Sequence, residues 1–526
     1  MTVPAFGEAE LSRRRFLALG GSLAAAGTLG GLVDPWSALG ATRWPKGRLG
    51  ARDAVRVKQS QFMPVGQFRS WNRALDRVGP ANQRGLRATG TKAELDYIDD
   101  LRNDLERAGV DRLRFEKVPM RRWTTDSWSL AVAGTPVRTA SYIPYSGQTP
   151  AGGVSGPLVY VEPGQTPAPG SLAGRIAVFD VPLTVIPLSF FVNLTYDGRQ
   201  YDPRGELRGE EPYKRPYLHG VHPVLEALAA AGAIGAVGVL DFPAAAADGS
   251  YFPYDGVINS LPGIYVDRAA GAVLKDQARA GLPAVLGLPA QVKQVNSKNL
   301  IGFIPGESNE IVALHCHTDG SNAIEDNGPA AIVAMAQYLA RLPKRALPRT
   351  IMILLTTGHF AGGSGSRAFV ERHEDDLVKR TNAALTIEHL GLREWNETSP
   401  GRMGFTGRYE PGAMFAPGSK ALVDASFAAL RGGRAAPAGV LKPLNAKGSG
   451  DPNDAVWPGE GQYLFGVGDI PTSNYITGPT YLLNWGITTA DKVDHTRVRR
   501  EAIAFTEMIL RLGRTPRRSL RRFTLG

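Results

Sequence analysis

Three observations in the sequence predict an α/β fold, a sheet covered on both faces and flanked by helices, with a strand-rich unit inserted into it. First, Ile311 to Cys316 and Thr350 to Thr356 are continuous apolar runs, the pattern of strands buried on both faces. Second, the stretch between them, Pro329 to Leu342, sets Ile332, Met335, Ala336, Leu339 and Leu342 on one helical face, and Pro329 suits a first helical position. Strand, helix, strand is the layer pattern of an α/β domain. Third, from about Trp128 to Leu288 the chain breaks into short apolar runs punctuated by Gly and Pro, which read as strands of a separate unit.

At 526 residues the chain exceeds one core, and two or three domains are expected. A hydrophobic fraction of 43% and a charged fraction of 21% exclude a disordered or multi-span membrane protein. Cys316 is the only cysteine, which excludes internal disulfides and Cys-rich zinc sites. The net charge of +11 is concentrated partly in Arg13, Arg14 and Arg15 and in an arginine-rich end over 513–526. No stacking platform or nucleic-acid motif accompanies that end, so it reads as a frayed, solvated tail and no nucleic-acid partner is expected. Residues 1–40 resemble a twin-arginine export signal: Ser12-Arg13-Arg14-Arg15-Phe16-Leu17, a small apolar run to Val33, and Ala38-Leu39-Gly40 before Ala41. The run is too short to span a bilayer comfortably, so the expectation is a periplasmic, cell-wall or extracellular protein without stable membrane insertion after cleavage.

In the segment 41–127, Thr91 to Val110 predicts an amphipathic helix with Leu95, Ile98, Leu101, Leu105 and Val110 at helical spacing. The segment 128–292 contains Pro157 to Val161, Gly174 to Phe179, an alanine-rich helix over His222 to Gly232, Ile234 to Leu240, Leu261 to Val266 and a helix from Arg268. That order resembles a protease-associated (PA) domain, a β-rich module inserted in exported peptidases. Val185 to Tyr217 departs from the pattern, either as a lid or substrate wall or, more plainly, as a surface loop.

In open α/β sheets the ligand crevice lies beyond the carboxyl ends of the strands. The apolar runs of 293–512 end in His317-Thr318-Asp319, Gly358-His359 and Glu388-His389, and Asp326 opens the helix between the first two. Imidazoles and carboxylates at such junctions are the donor types zinc prefers. Singly, each has an ordinary reading: Asp326 as a helix cap, His317 as a hydrogen-bonded core histidine, Glu388 as a partner of Arg393. Strand alternation puts His315 on the face of His317 and Cys316 in the core.

The ordered pieces Asn299-Leu-Ile-Gly-Phe-Ile-Pro-Gly, Ile311 to Asp319, Asp326-Asn327-Gly328, Arg349 to Ser366, the Glu388 strand end, Gly468-Asp-Ile-Pro and Asp491-Lys-Val-Asp resemble the co-catalytic zinc aminopeptidases, metallopeptidase family 28. The resemblance implies a phosphorylase/hydrolase-like mixed sheet flanked by helices. It further implies that His317 and Glu388 bind one metal, with Glu388 where Asp is usual, that Asp326 bridges two metals, and that Asp319 holds the His317 ring. The family's Glu-Glu pair, base and ligand, is His359-Phe360 here, and its last histidine ligand aligns with Asn484. Two of three protein ligands of the second metal are therefore missing.

Three readings follow. One is a hydrolase of a peptide, amide or ester bond, with one zinc ion on His317, Asp326 and Glu388 and with His359, of ordinary pKa ~6.5, as base. Another is a catalytically silent secreted binding protein that keeps the peptidase and PA folds. The third is a rearranged second metal site drawing on His359, His315 or His495.

Overall fold

The computed structural model describes residues 44–325, 327–445 and 456–525. The signal sequence expected over 1–40 lies outside them, and so does Asp326. Among the described residues two large sheets dominate. The nine-stranded sheet runs in the order Asp111–Thr124, Gln291–Ile304, Arg349–Thr356, Ser308–His317, Thr381–Ile387, Thr472–Thr477, Gly412–Phe415, Ala438–Leu441 and Thr195–Tyr201. Its centre, from Arg349–Thr356 to Thr472–Thr477, is parallel; its flanking strands pair antiparallel, except Gly412–Phe415 and Ala438–Leu441, which pair parallel. The central strands are buried along their whole apolar length, as their sequence requires.

Helices Lys92–Ala108, Asn327–Leu339 and His495–Leu512 flank this sheet. The first ends at Gly109, whose φ of 89° is the left-handed conformation that stops a helix. Its periodicity turns Ile98, Leu101 and Leu105 inward as expected, but Glu94 is fully buried while Leu95 is half-exposed. The Glu94 carboxylate accepts from the Gly90 amide (2.6 Å), Ser297 Oγ (2.9 Å) and Thr357 Oγ1 (2.5 Å), tying the helix to the two strands beneath the site. Burial, with Asp319 nearby, pushes its pKa up to about 8. Pro329 lies two residues inside its helix rather than at its first position, since Asn327 already has helical geometry.

The eight-stranded sheet is drawn entirely from residues 129–287, with four parallel strands, Val154–Val161, Ile176–Asp180, Gly235–Val239 and Gly263–Val266, at its centre. Val185 to Tyr217 is more than a surface loop: it forms a hairpin of Leu183–Pro187 with Pro212–His219, the helix Leu188–Leu194, and Thr195–Tyr201, which extends the edge of the other sheet. The basic end is likewise packed rather than frayed. Leu520 is buried, and the Thr524 and Leu525 amides donate to the Gly418 carbonyl.

Candidate metal centre

The parallel strands Ser308–His317 and Thr381–Ile387 are neighbours, and the buried residues at their carboxyl ends face one crevice. His317 Nδ1 bonds the Asp319 backbone carbonyl at 2.8 Å, which fixes the proton on Nδ1 and leaves Nε2 a bare lone pair. That Nε2 has no hydrogen-bond partner and lies 3.7 Å from Glu388 Oε2, which has none either. The other Glu388 oxygen accepts from Asn474 Nδ2 and the Glu460 amide, both at 3.0 Å. His389 repeats the arrangement: Nδ1 bonds the Thr477 carbonyl at 2.8 Å, and Nε2 is unpartnered 3.4 Å from the equally unpartnered Glu325 Oε2.

Buried polar atoms without partners are costly and uncommon, so four of them around one crevice call for a ligand that satisfies them all. Two overlapping groups, His317 with Glu388 and His389, and His317 with Glu325 and His359, have donor atoms within 4.8 Å of one another. Burial, reinforced by His359 and His389, holds the His317 pKa well below the usual histidine range, which keeps the ring in its neutral, ligating form.

His359 stacks on His317 with ring centroids 4.2 Å apart. Its Nδ1 bonds Glu460 Oε2 at 2.8 Å, and its Nε2 faces Glu325 Oε1 at 3.7 Å. The other Glu460 oxygen accepts from Ser366 Oγ at 2.6 Å. Burial works against protonation of His359, but Glu460, then Glu325 and Glu388, outweigh it and push its pKa up to about 9 in the ion-free protein, above the ordinary value anticipated for a base. Asp319 supports the site through both its parts. Its backbone carbonyl holds the His317 ring, whereas its carboxylate, 3.9 Å from Nδ1, accepts the amides of His359 (3.1 Å) and Phe360 (2.8 Å) and the Thr89 hydroxyl.

On the other side of the crevice, Phe360 is fully buried against Tyr251 and Tyr254. Asn484 donates its amide to the carbonyls of Ala246 (3.1 Å) and Asp248 (2.8 Å), securing the inserted unit. His315 is bonded to Thr386 and Thr356, and His495 to Asn72, so of the three histidines considered for a second site only His359 joins these groups. Glu325 and Glu460 were not singled out in the sequence, and His389 was named at its strand end without a role of its own. Glu325 precedes Asp326 in a loop, Glu460 sits in the Gly/Pro-rich stretch Trp457 to Gly461, and strand alternation would turn His389 away from Glu388.

A cavity of about 410 Å³ opens onto Glu325, His359 and His389. Its walls include Leu188, Phe191, Val192, Tyr213 and Tyr217 from the 183–219 segment, opposite Phe415 and Ile476 of the nine-stranded sheet. That segment is pinned by one acceptor: the Gly478 carbonyl takes bonds from Tyr213 (2.6 Å), Arg215 Nε (2.8 Å) and the Tyr217 hydroxyl. Arg215 also pairs with Glu410 at 2.6 Å, both buried.

Residues 299–412 match the family model described as Peptidase family M28. No curated protein sequence matches the chain. Among solved structures, a peptidase M28 precursor from Shewanella amazonensis aligns with a TM-score of 0.60 at 17% identity, covering 88% of this chain and 95% of its own. BSAP, a zinc aminopeptidase from Bacillus subtilis, aligns at 0.58 and 15%, covering 85% and 94%. An aminopeptidase from Aneurinibacillus sp. strain AM-1 aligns at 0.54 and 16%, covering 87% and 95%. At such identities the likeness is one of fold: the chain has the fold of these aminopeptidases, and its residues 299–412 carry the match to the M28 family model.

Proposed function

We propose that this protein is an exported, metal-dependent hydrolase of a peptide, amide or ester bond, in which His317 and Glu388 hold one zinc ion together with Asp326, the carboxylate implied by the family pattern. The observation that carries this reading is the pair of buried, unpartnered donors His317 Nε2 and Glu388 Oε2, 3.7 Å apart, each braced by the protein through its other polar atom. An ion held there supplies the Lewis acidity that polarises a scissile carbonyl and brings the pKa of water towards ~7.

The chain's own residues do the rest. The apolar walls around Phe191 and Tyr213 take an apolar flank of the substrate and exclude water, which strengthens every polar interaction at the floor. Glu460 keeps Nδ1 of His359 occupied, so Nε2 is the atom that takes or gives a proton at the cavity. Asp319 fixes the turn from which His359 projects. We assign residues 1–40 to a twin-arginine signal and 128–292 to a PA domain.

The replacement of the family's Glu-Glu pair by His359-Phe360, with Phe360 packed into the core, favours a second reading, a silent binding protein. Elemental analysis of the purified protein, followed by a panel of aminoacyl, acyl-amide and ester substrates, separates the two. About one zinc per chain and a chelator-sensitive activity support the hydrolase. Absence of zinc, with His317→Ala changing neither stability nor any activity, defeats it.

A further inference from the structure

We propose that His389 is itself a metal ligand, joining His317 and Glu388 on the ion. The proposal rests on the metal-dependent reading above and gives a role to the histidine that follows Glu388 at its strand end.

Glu388 and His389 are adjacent, and in an extended strand adjacent side chains leave on opposite faces. Here they do not diverge, because His389 has a φ of 54°, the left-handed region that non-glycine residues seldom enter. The reversal swings its ring back to the side of Glu388, where donor atoms of His317, Glu388 and His389 lie within 4.8 Å of one another. Strained backbone of this kind persists only where its surroundings impose it. His389 is imposed on from both ends: its Nδ1 bonds the Thr477 carbonyl at 2.8 Å, and its own carbonyl accepts from Thr477 Oγ1 at 2.7 Å. The next residue is clamped as well, since Asn327 accepts the Leu390 amide (2.9 Å) and donates to its carbonyl (3.0 Å).

A core histidine held this firmly would ordinarily use both ring nitrogens. His389 uses one, and its Nε2 stays bare although the ring is only 2% exposed. Glu325 Oε2, at 3.4 Å, is beyond ordinary hydrogen-bond length. Zinc bonds of about 2.0–2.2 Å at tetrahedral angles set neighbouring donors ~3.3–3.6 Å apart, close to the 3.7 Å between His317 Nε2 and Glu388 Oε2. Two imidazoles and one glutamate are the donors of a known catalytic zinc set. His389 lines the cavity, so an ion it held would border the space a substrate would enter.

The test is zinc titration calorimetry on the full chain and on His389→Asn, His317→Asn and His359→Asn. Asparagine tolerates the left-handed backbone and removes the Nε2 donor. One zinc per wild-type chain, an affinity lower by ~100-fold or more in His389→Asn and His317→Asn, and a much smaller loss in His359→Asn are expected. X-ray absorption at the zinc edge of His359→Asn, where His389 is untouched, counts imidazoles without relying on a His389 variant: two are expected. Wild-type affinity in His389→Asn, or a single imidazole in the His359→Asn spectrum, overturns the assignment of His389 while leaving the metal-dependent reading intact. A wild-type chain that binds no zinc overturns both.

Discussion

On one side of the crevice, His317, Glu388 and His389 each commit their far polar atom to the protein and leave the near one bare. On the other side, Asn484 gives its amide to two carbonyls of the inserted unit, and Phe360 packs between tyrosines. All five are buried, so burial alone does not separate ligand from scaffold. What separates them is the partner: an orphaned donor atom braced from behind is costly unless something binds it, whereas a satisfied amide is already finished. The first side is a socket and the second has become structure.

The largest expected effect comes from emptying the socket. His317→Ala should lower kcat/KM on any accepted substrate by ~10³-fold or more and reduce zinc content to background, because the ion's contribution to the barrier goes with it. Assay and elemental analysis on the same preparation check both, and retained zinc would mean the socket lies elsewhere. The opposite manipulation should fail. Phe360→Glu restores a carboxylate to the second side, but it buries an unpaired charge where a ring packs on Tyr251 and Tyr254. Denaturant unfolding should show a loss of about 3 kcal/mol or more, with no second zinc taken up.

A smaller effect should follow from loosening a brace. Glu460→Gln keeps the size of the side chain but weakens its hold on His359, and kcat should fall by ~10–100-fold with KM nearly unchanged. Equal activity would show that His359 needs no fixed orientation. The subtlest contrast is in pH. In the ion-free protein the folded-state pKa of His359, about 9, lies above its ordinary 6.5. Its contribution to stability is therefore fully present below pH ~6.5 and lost as pH rises through about 9. Melting temperatures of metal-stripped protein should fall across that window, and His359→Asn should flatten the decline.

Much of this was legible in the sequence, for reasons that also show where legibility stops. The central strands announced themselves because burial on both faces demands unbroken apolar runs, and the residues ending those runs, His317 and Glu388, were marked by position alone. Period-based reasoning could not put His389 on the side of Glu388, because a single backbone reversal cancels the alternation on which it depends. Nor could it find Glu460, whose stretch has no regular repeat before its short helix and which meets His359 across 101 positions of chain. Glu94 was hidden differently. A carboxylate one position from an apolar stripe reads as solvent-facing until the hydroxyls of Ser297 and Thr357 are seen to receive it. The segment from Val185 to Tyr217 looked like a loop because its strands find partners only after the chain has folded.

The Gly478 carbonyl ties the cavity wall to the very next residue after Thr477, whose own carbonyl aims His389. Selectivity and ion affinity are thereby yoked through one peptide link. Any lineage or engineer that reshapes Tyr213, Arg215 or Tyr217, or Phe191 packed on Tyr213, to admit a different substrate will also retune the socket, so new specificities on this scaffold should come more readily from Val192, which lines the cavity.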